Sequence, residues 1–97
     1  MPSRIRLEAQ VVEFINARPP EFRRRAKQAL LGLADWEGDI RPLRDELEGY
    51  YRLRVERYRF LFSSGKEIVV LYAGPRSTAY ETFEALIASG DLSDSPL

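Results

Sequence analysis

Residues 49–62, GYYRLRVERYRFLF, decide how this chain folds. Tyr51, Leu53 and Val55 alternate with Arg52 and Arg54, and Tyr58, Phe60 and Phe62 enclose Arg59 in the same way. Period-two alternation marks a half-buried strand, because successive side chains of a strand point to opposite faces of the sheet. A turn centred on Glu56 and Arg57 pairs the two strands antiparallel. The apolar sets then meet on a core, and Arg52, Arg54 and Arg59 gather in solvent on the other face. Like charges directly opposed on a sheet cost a few tenths of a kcal/mol to about 1 kcal/mol. An anionic partner would remove that cost.

The ordinary alternative is a solvated face, since antiparallel sheets carry charge on their wet side and arginine stems cover apolar surface. Arg59 and Arg76 could then bridge to Glu67 or Glu81 as surface ion pairs, worth about 0–1 kcal/mol each. Against this stands the lack of sign mixing. Between Gly49 and Arg76 the basic residues are Arg52, Arg54, Arg57, Arg59, Lys66 and Arg76, opposed only by Glu56 and Glu67, in a chain of net charge zero. The sequence offers this face no evident internal counterion.

Neutrality overall conceals segregation into blocks. Residues 1–34 and 49–76 are basic, whereas 35–48 and 77–97 are acidic. Such a distribution gives weak non-specific adhesion to nucleic acid but a strong local field over the sheet. The 97 residues suffice for one domain with a single core, and the hydrophobic fraction of 44% is that of a globular protein. Cysteine and histidine are both absent. Disulfides, thiolate chemistry, Ser-His-Asp and Cys-His constellations and the usual zinc ligands are therefore excluded. Nothing in the sequence suggests a signal peptide, a membrane span, a bound cofactor or a metal cluster, so the expected location is the cytoplasm, with no membrane partner.

Along the chain, Ile5, Leu7, Val11, Val12, Phe14 and Ile15 form an apolar stripe that admits a helix from a Ser3 cap to Arg18. A short strand over Arg4–Leu7 leading into a helix is the alternative, and the stripe favours the helix. Pro19 and Pro20 end it and open a second helix from Glu21 to Trp36, with Phe22, Ala26, Ala29, Leu30 and Leu33 inward and the Arg23–Lys27 run solvated. Trp36 is expected to plug the bottom of the core. Gly38 introduces a polar connection, DIRPLRDELEG, tacked down by Ile40 and Leu43. Strands follow at 50–55, 58–62 and 67–73; Gly74 and Pro75 break the sheet, and Thr78 with Glu81 forms a capping box for a last helix ended by Gly90. The expected fold is α+β: an N-terminal antiparallel helical hairpin on a three- to four-stranded antiparallel sheet, with a short C-terminal helix and a frayed tail at 90–97.

The run PPEFRRRAKQALLGLADWEGDIRPLRDELEGYYRLRVERYRFLF (19–62) and then EIVVLYAGPRSTAY (67–80) resembles the RelE/ParE superfamily of toxins from type II toxin–antitoxin pairs, over roughly residues 8–83. The GYYRLRV segment and the strand ending in Gly-x-Arg carry most of the likeness. In the RelE branch, a concave sheet face cuts mRNA in the ribosomal A site. Its basic residues lie on the second strand, an arginine on the third, an arginine after the fourth, and a tyrosine at the terminal helix. By resemblance these are Arg52 and Arg54, Arg59, Arg76 and Tyr80. The implied partners are a cognate antitoxin, the ribosome and mRNA, with operator DNA reached only through the antitoxin. The implied chemistry needs no metal: a 2′-hydroxyl attacks its own 3′-phosphate, and planar, permanently cationic guanidinium forks suit the phosphoryl charge.

Two positions depart from that pattern. RNA-cleaving relatives often carry lysine where this chain has Arg52 or Arg54, and arginine practically cannot transfer protons. That work would fall to Tyr80 or to the substrate and ribosome. Arg76 and Tyr80 are also only four residues apart, closer than in well-studied relatives. A ParE-like gyrase inhibitor without nuclease activity is the competing expectation, and a degenerate, non-toxic member is a third. The set Arg52, Arg54, Arg59 and Arg76 favours the ribonuclease, because a protein-binding inhibitor has no chemical need of a phosphate-binding face.

Overall fold

The computed structural model describes residues 4–90. Five strands make one sheet in the order β1-β5-β4-β3-β2, where β1 is Arg4–Leu7, β2 Ile40–Pro42, β3 Tyr50–Val55, β4 Tyr58–Ser64 and β5 Glu67–Pro75. Strands β2 to β5 pair antiparallel with their neighbours, and β1 joins β5 in parallel, Arg4 opposite Glu67 and Leu7 opposite Val70. The sheet is thus larger than the sequence suggested, and mixed.

Two elements account for the difference. The segment Arg4–Leu7 is a strand rather than the start of a helix. Its place beside β5 satisfies backbone groups of a strand that is apolar on both faces, and the backbone N–H of Glu8 extends the pairing to the Val70 carbonyl at 3.0 Å. Helix α1 begins only at Ala9 and ends at Asn16. Ser3, expected as its cap, lies outside the described residues, as does the tail from residue 91. The second element is β2, which the sequence reads as loop. It is three residues long and ends in proline, which cannot donate to a ladder and is tolerated at an edge.

Helix α2, Pro20–Gly32, has Pro19 as its N-cap and Pro20 in its first turn, where a missing N–H is no loss. Val11 and Ile15 of α1 and Phe22, Ala26 and Leu30 of α2 pack on Leu53, Val55, Phe60, Phe62, Ile68, Val70 and Ala73. This is the first core. Trp36 does not plug it: 46% exposed, and with φ at 57°, it lies edge-on to Tyr51 and Phe62 at 5.1 and 5.6 Å and covers the rim.

A second, smaller core lies on the other sheet face, where Leu61, Val69 and Leu71 meet Leu47 and Ala79 and Phe83 of α3, Ala79–Ser89. Helix α3 therefore covers the part of this face that lies over β5 and Leu61, beside the arginines of β3. Thr78 is its N-cap but makes no side-chain cap bond, so no capping box forms; with ψ at −7° the residue lacks the extended geometry that aims a capping hydroxyl at the first turn. Gly90, at φ 77°, closes the helix in the left-handed conformation, as the sequence suggests. No helix among the described residues is long and apolar enough to cross a membrane.

Candidate functional site

The register of β3 and β4 is the one the alternation predicts. Arg54 faces Arg59 directly across the ladder, Arg52 faces Leu61, and Val55 and Tyr58 flank the Glu56–Arg57 turn. Extending the rows places Gly74 of β5 beside Arg59 and Tyr72 beside Leu61. On the other side, Arg41 of β2 stands opposite Arg52. One row across the second face therefore reads Arg54, Arg59, Gly74 and the next Arg41, Arg52, Leu61, Tyr72, with strands about 4.8 Å apart. Arg41 is absent from the sequence-derived set because β2 is absent from it. Only strand pairing brings it to this face.

The arginines are not equivalent. Arg54 is open, whereas Arg52 keeps 14% of its side chain exposed and donates from Nη1 to the Asp39 carbonyl at 3.1 Å and to the Asp39 carboxylate at 3.2 Å. The same carboxylate stands 3.9 Å from Nη1 of Arg54, and the Arg54 amide donates to the Asp39 carbonyl at 3.0 Å. The face thus has an internal counterion after all, supplied by the residue just before β2. One carboxylate against four guanidinium groups leaves the excess positive.

Arg59 differs from the solvent-facing residue the sequence predicts, being only 7% exposed. Its Nη1 donates to the carbonyls of Glu56 and Tyr58 at 3.3 and 3.2 Å. Among the described residues no carboxylate pairs with it. Glu67, a suggested partner, is engaged by Arg6 at 3.0 Å on the far edge of the sheet. The turn that holds Arg59 has Glu56 at φ 57°, and Arg25 of α2 donates to the Glu56 carboxylate. That hydrogen bond, with the attraction of the carboxylate, raises the Arg25 guanidinium above its ordinary pKa, without consequence for its charge near neutrality. Its structural effect is to tie the turn to the helical layer.

Arg76 is exposed, and its backbone N–H donates to the Arg57 carbonyl at 2.8 Å, so β5 is fastened to the same turn one step beyond its end. Gly74 and Pro75 do not break the sheet; they pair with Arg59 and Tyr58. The open edge of β5 is completed by a side chain: the Gln10 amide donates to the Ala73 carbonyl at 2.9 Å and accepts from the Ala73 N–H at 3.0 Å. Tyr80 sits in the first turn of α3 and packs partly buried against the second core.

Away from this face, an apolar groove of about 280 Å³ lies beside β1, lined by Ile5, Leu7, Lys27, Leu30 and Leu31. It offers no acid, base or nucleophile apart from Lys27.

The architecture defines a small α+β protein whose mixed sheet gathers Arg41, Arg52, Arg54 and Arg59 on one face. No protein-family model matches the sequence, and no curated protein is similar to it. Solved structures are similar. A chain of the toxin–antitoxin complex RelBE2 from Mycobacterium tuberculosis superposes with a TM-score of 0.67 at 23% identity, covering 79% of this chain and 94% of that one. A chain of the RelB-RelE antitoxin–toxin complex from Methanococcus jannaschii gives 0.64 at 21%, covering 80% and 98%. A chain of the archaeal RelE-RelB complex from Pyrococcus horikoshii gives 0.65 at 26%, covering 81% and all of that chain. The fold is RelE-like, in agreement with the resemblance carried by GYYRLRV and Gly-x-Arg.

Proposed function

We propose that this chain is the toxin of a toxin–antitoxin pair and that it cuts mRNA held on the ribosome. The observation that carries the reading is Arg59: a nearly buried guanidinium, held by turn carbonyls, facing Arg54 and lacking a carboxylate partner among the described residues. Leaving a cation buried without a counter-charge costs stability, and a protein that keeps one has reason to receive an anion there. The similarity to chains of RelE–RelB complexes supports the toxin part of this reading.

In this mechanism the scissile phosphate lies over the row formed by Arg54 and Arg59. The 2′-hydroxyl of the preceding nucleotide attacks phosphorus, negative charge grows on the non-bridging oxygens, and the 5′-oxygen leaves, giving a 2′,3′-cyclic phosphate. Arg59 is fixed before substrate arrives, so its charge requires little reorganisation as the transition state forms. Arg54 is open to solvent and engages the strand from the rim; Arg41, Arg52 and Arg76 extend the field along it. Arginines hold and stabilise but do not exchange protons readily. The ribosome supplies in-line geometry, an effect worth several kcal/mol. Tyr80 is the carried-over candidate for proton transfer. The antitoxin is expected to lay an acidic segment over the same arginines.

Translating ribosomes given the purified protein should yield mRNA cut within the A-site codon, while naked RNA is cut poorly. Induced expression should halt growth, and the neighbouring antitoxin should restore it. Intact mRNA on ribosomes together with gyrase-linked DNA breaks would overturn the nuclease reading in favour of a ParE-like inhibitor; normal growth at verified expression would overturn the toxin itself.

A further inference from the structure

We propose that Tyr72 supplies a hydroxyl ligand to an RNA phosphate bound over Arg54 and Arg59, an inference that rests on the reading of this face as an RNA site. Tyr72 reaches the face through a fault in the ladder. On β5, Leu61 pairs with Tyr72 but its neighbour Phe62 pairs with Val70, so Leu71 is an extra residue bulged out of register. Strict alternation would send Leu71 to the second face and Tyr72 into the first core with Val70. With the bulge, Leu71 and Tyr72 both belong to the second face, while Val70 and Ala73 belong to the first. Bulges recur where a sheet re-aims a side chain.

The ring then lies along its own strand toward the arginine row. A Cβ built on Gly74 would stand 2.8 Å from Cε2, 2.9 Å from Oη and 3.2 Å from Cζ of Tyr72. Gly74 is the residue paired with Arg59. The phenol therefore occupies the surface that any other residue at position 74 would fill, next to the buried guanidinium. The hydroxyl makes no hydrogen bond to the described residues, and no side-chain oxygen among them is fully buried without a partner, so this one is not fully buried. A half-buried ring with an unbonded O–H beside an arginine that no described carboxylate neutralises suits an anion that needs a neutral donor as well as charge. Tyr80, by contrast, is placed by the first turn of α3 rather than by the ladder that aligns Arg54, Arg59 and Gly74.

The test uses the whole chain and a 2′-O-methyl RNA pentamer, which cannot be cleaved, with binding read by fluorescence anisotropy across a salt series. Tyr72→Phe should weaken binding about tenfold, the expected loss of a hydrogen bond to a charged group, with an unchanged salt slope because no charge is removed. Gln28→Ala, on the exposed side of α2, should bind like the parent, and Gly74→Ala should reproduce the Tyr72→Phe loss by displacing the ring. A Tyr72→Phe protein that binds like the parent, with an unchanged melting temperature, overturns the proposal. Because the probe is uncleavable, a parent protein that binds it through Tyr72 yet leaves ribosomal mRNA intact would sink the nuclease reading and keep this one. If the parent does not bind the pentamer, inorganic tripolyphosphate replaces it: tripolyphosphate should shift the Tyr72 ring resonances, and their failure to move overturns the proposal.

Discussion

Asp39 and Arg52 are joined twice, Nη1 of the arginine donating to both the carbonyl and the carboxylate of the aspartate at 3.1 and 3.2 Å. The same carboxylate reaches Arg54. Asp39 therefore aligns two guanidinium groups and also competes with any phosphate that approaches them. With the Asp39 carboxylate 45% exposed, the pair contributes little to stability, about 0–1 kcal/mol, so its influence falls on binding.

Asp39→Ala should tighten binding of single-stranded RNA about two- to fivefold at low salt and steepen the dependence of log K on log salt by about 0.7, the increment for one more neutralised phosphate on a single strand. A salt titration checks this. An unchanged slope would mean that Asp39 positions the arginines without opposing the ligand.

Gln10 substitutes for a missing strand. Beyond Glu8 this edge of β5 has no ladder partner among the described residues, and the Gln10 amide supplies both a donor and an acceptor to Ala73, which is fully buried. Gln10→Leu should leave those backbone groups unpaired under an apolar side chain and cost about 1–3 kcal/mol. Gln10→Ala should cost less, since water can enter the space. Urea midpoints measure the difference, and equal losses would show that the amide pairing is not what matters.

Helix α3 is held to the sheet mainly by Phe83, fully buried and edge-on to Tyr50 at 5.1 Å. Phe83→Ala should cost about 3–5 kcal/mol, a large part of the stability of a small domain. Hydrogen exchange should show α3 losing protection before β4 and β5. Simultaneous loss in all three would mean that the two cores fold as one unit.

What the sequence discloses here follows from how local each signal is. The β3–β4 hairpin was legible because alternation on both sides and a two-residue turn fix register without reference to anything distant. The β1 strand was obscured by its own short length, as Ile5 and Leu7 extend the helical stripe of Val11, Phe14 and Ile15 as well as they alternate. Strand β2 carries three residues and a proline, too little pattern to compete with the polar loop around it. The site's additions follow from β2 alone: Arg41 and Asp39 join the arginine face only through its pairing with β3. Tyr72 reaches the second face for a different cause, a bulge at Leu71 that interrupts strict alternation and carries no signal in the sequence.

Arg59 separates stability from function most sharply. Its stem is packed, its head is bonded to two carbonyls, and no carboxylate among the described residues offsets its charge. Arg59→Met keeps much of the stem volume and removes the buried cation, and replacing such groups by apolar ones is often neutral or stabilising. The melting temperature should therefore hold or rise. Cleavage of ribosome-bound mRNA should fall by about 10² to 10³, the usual consequence of losing a preorganised donor to transition-state charge. Arg24→Ala, on the exposed side of α2, should change neither. Arg59→Lys restores charge but not the fork, and should recover only part of the rate. If Arg59→Met instead unfolds the protein, or Arg24→Ala lowers cleavage equally, the guanidinium serves the fold or a diffuse field, and the phosphate site must be sought elsewhere on the face.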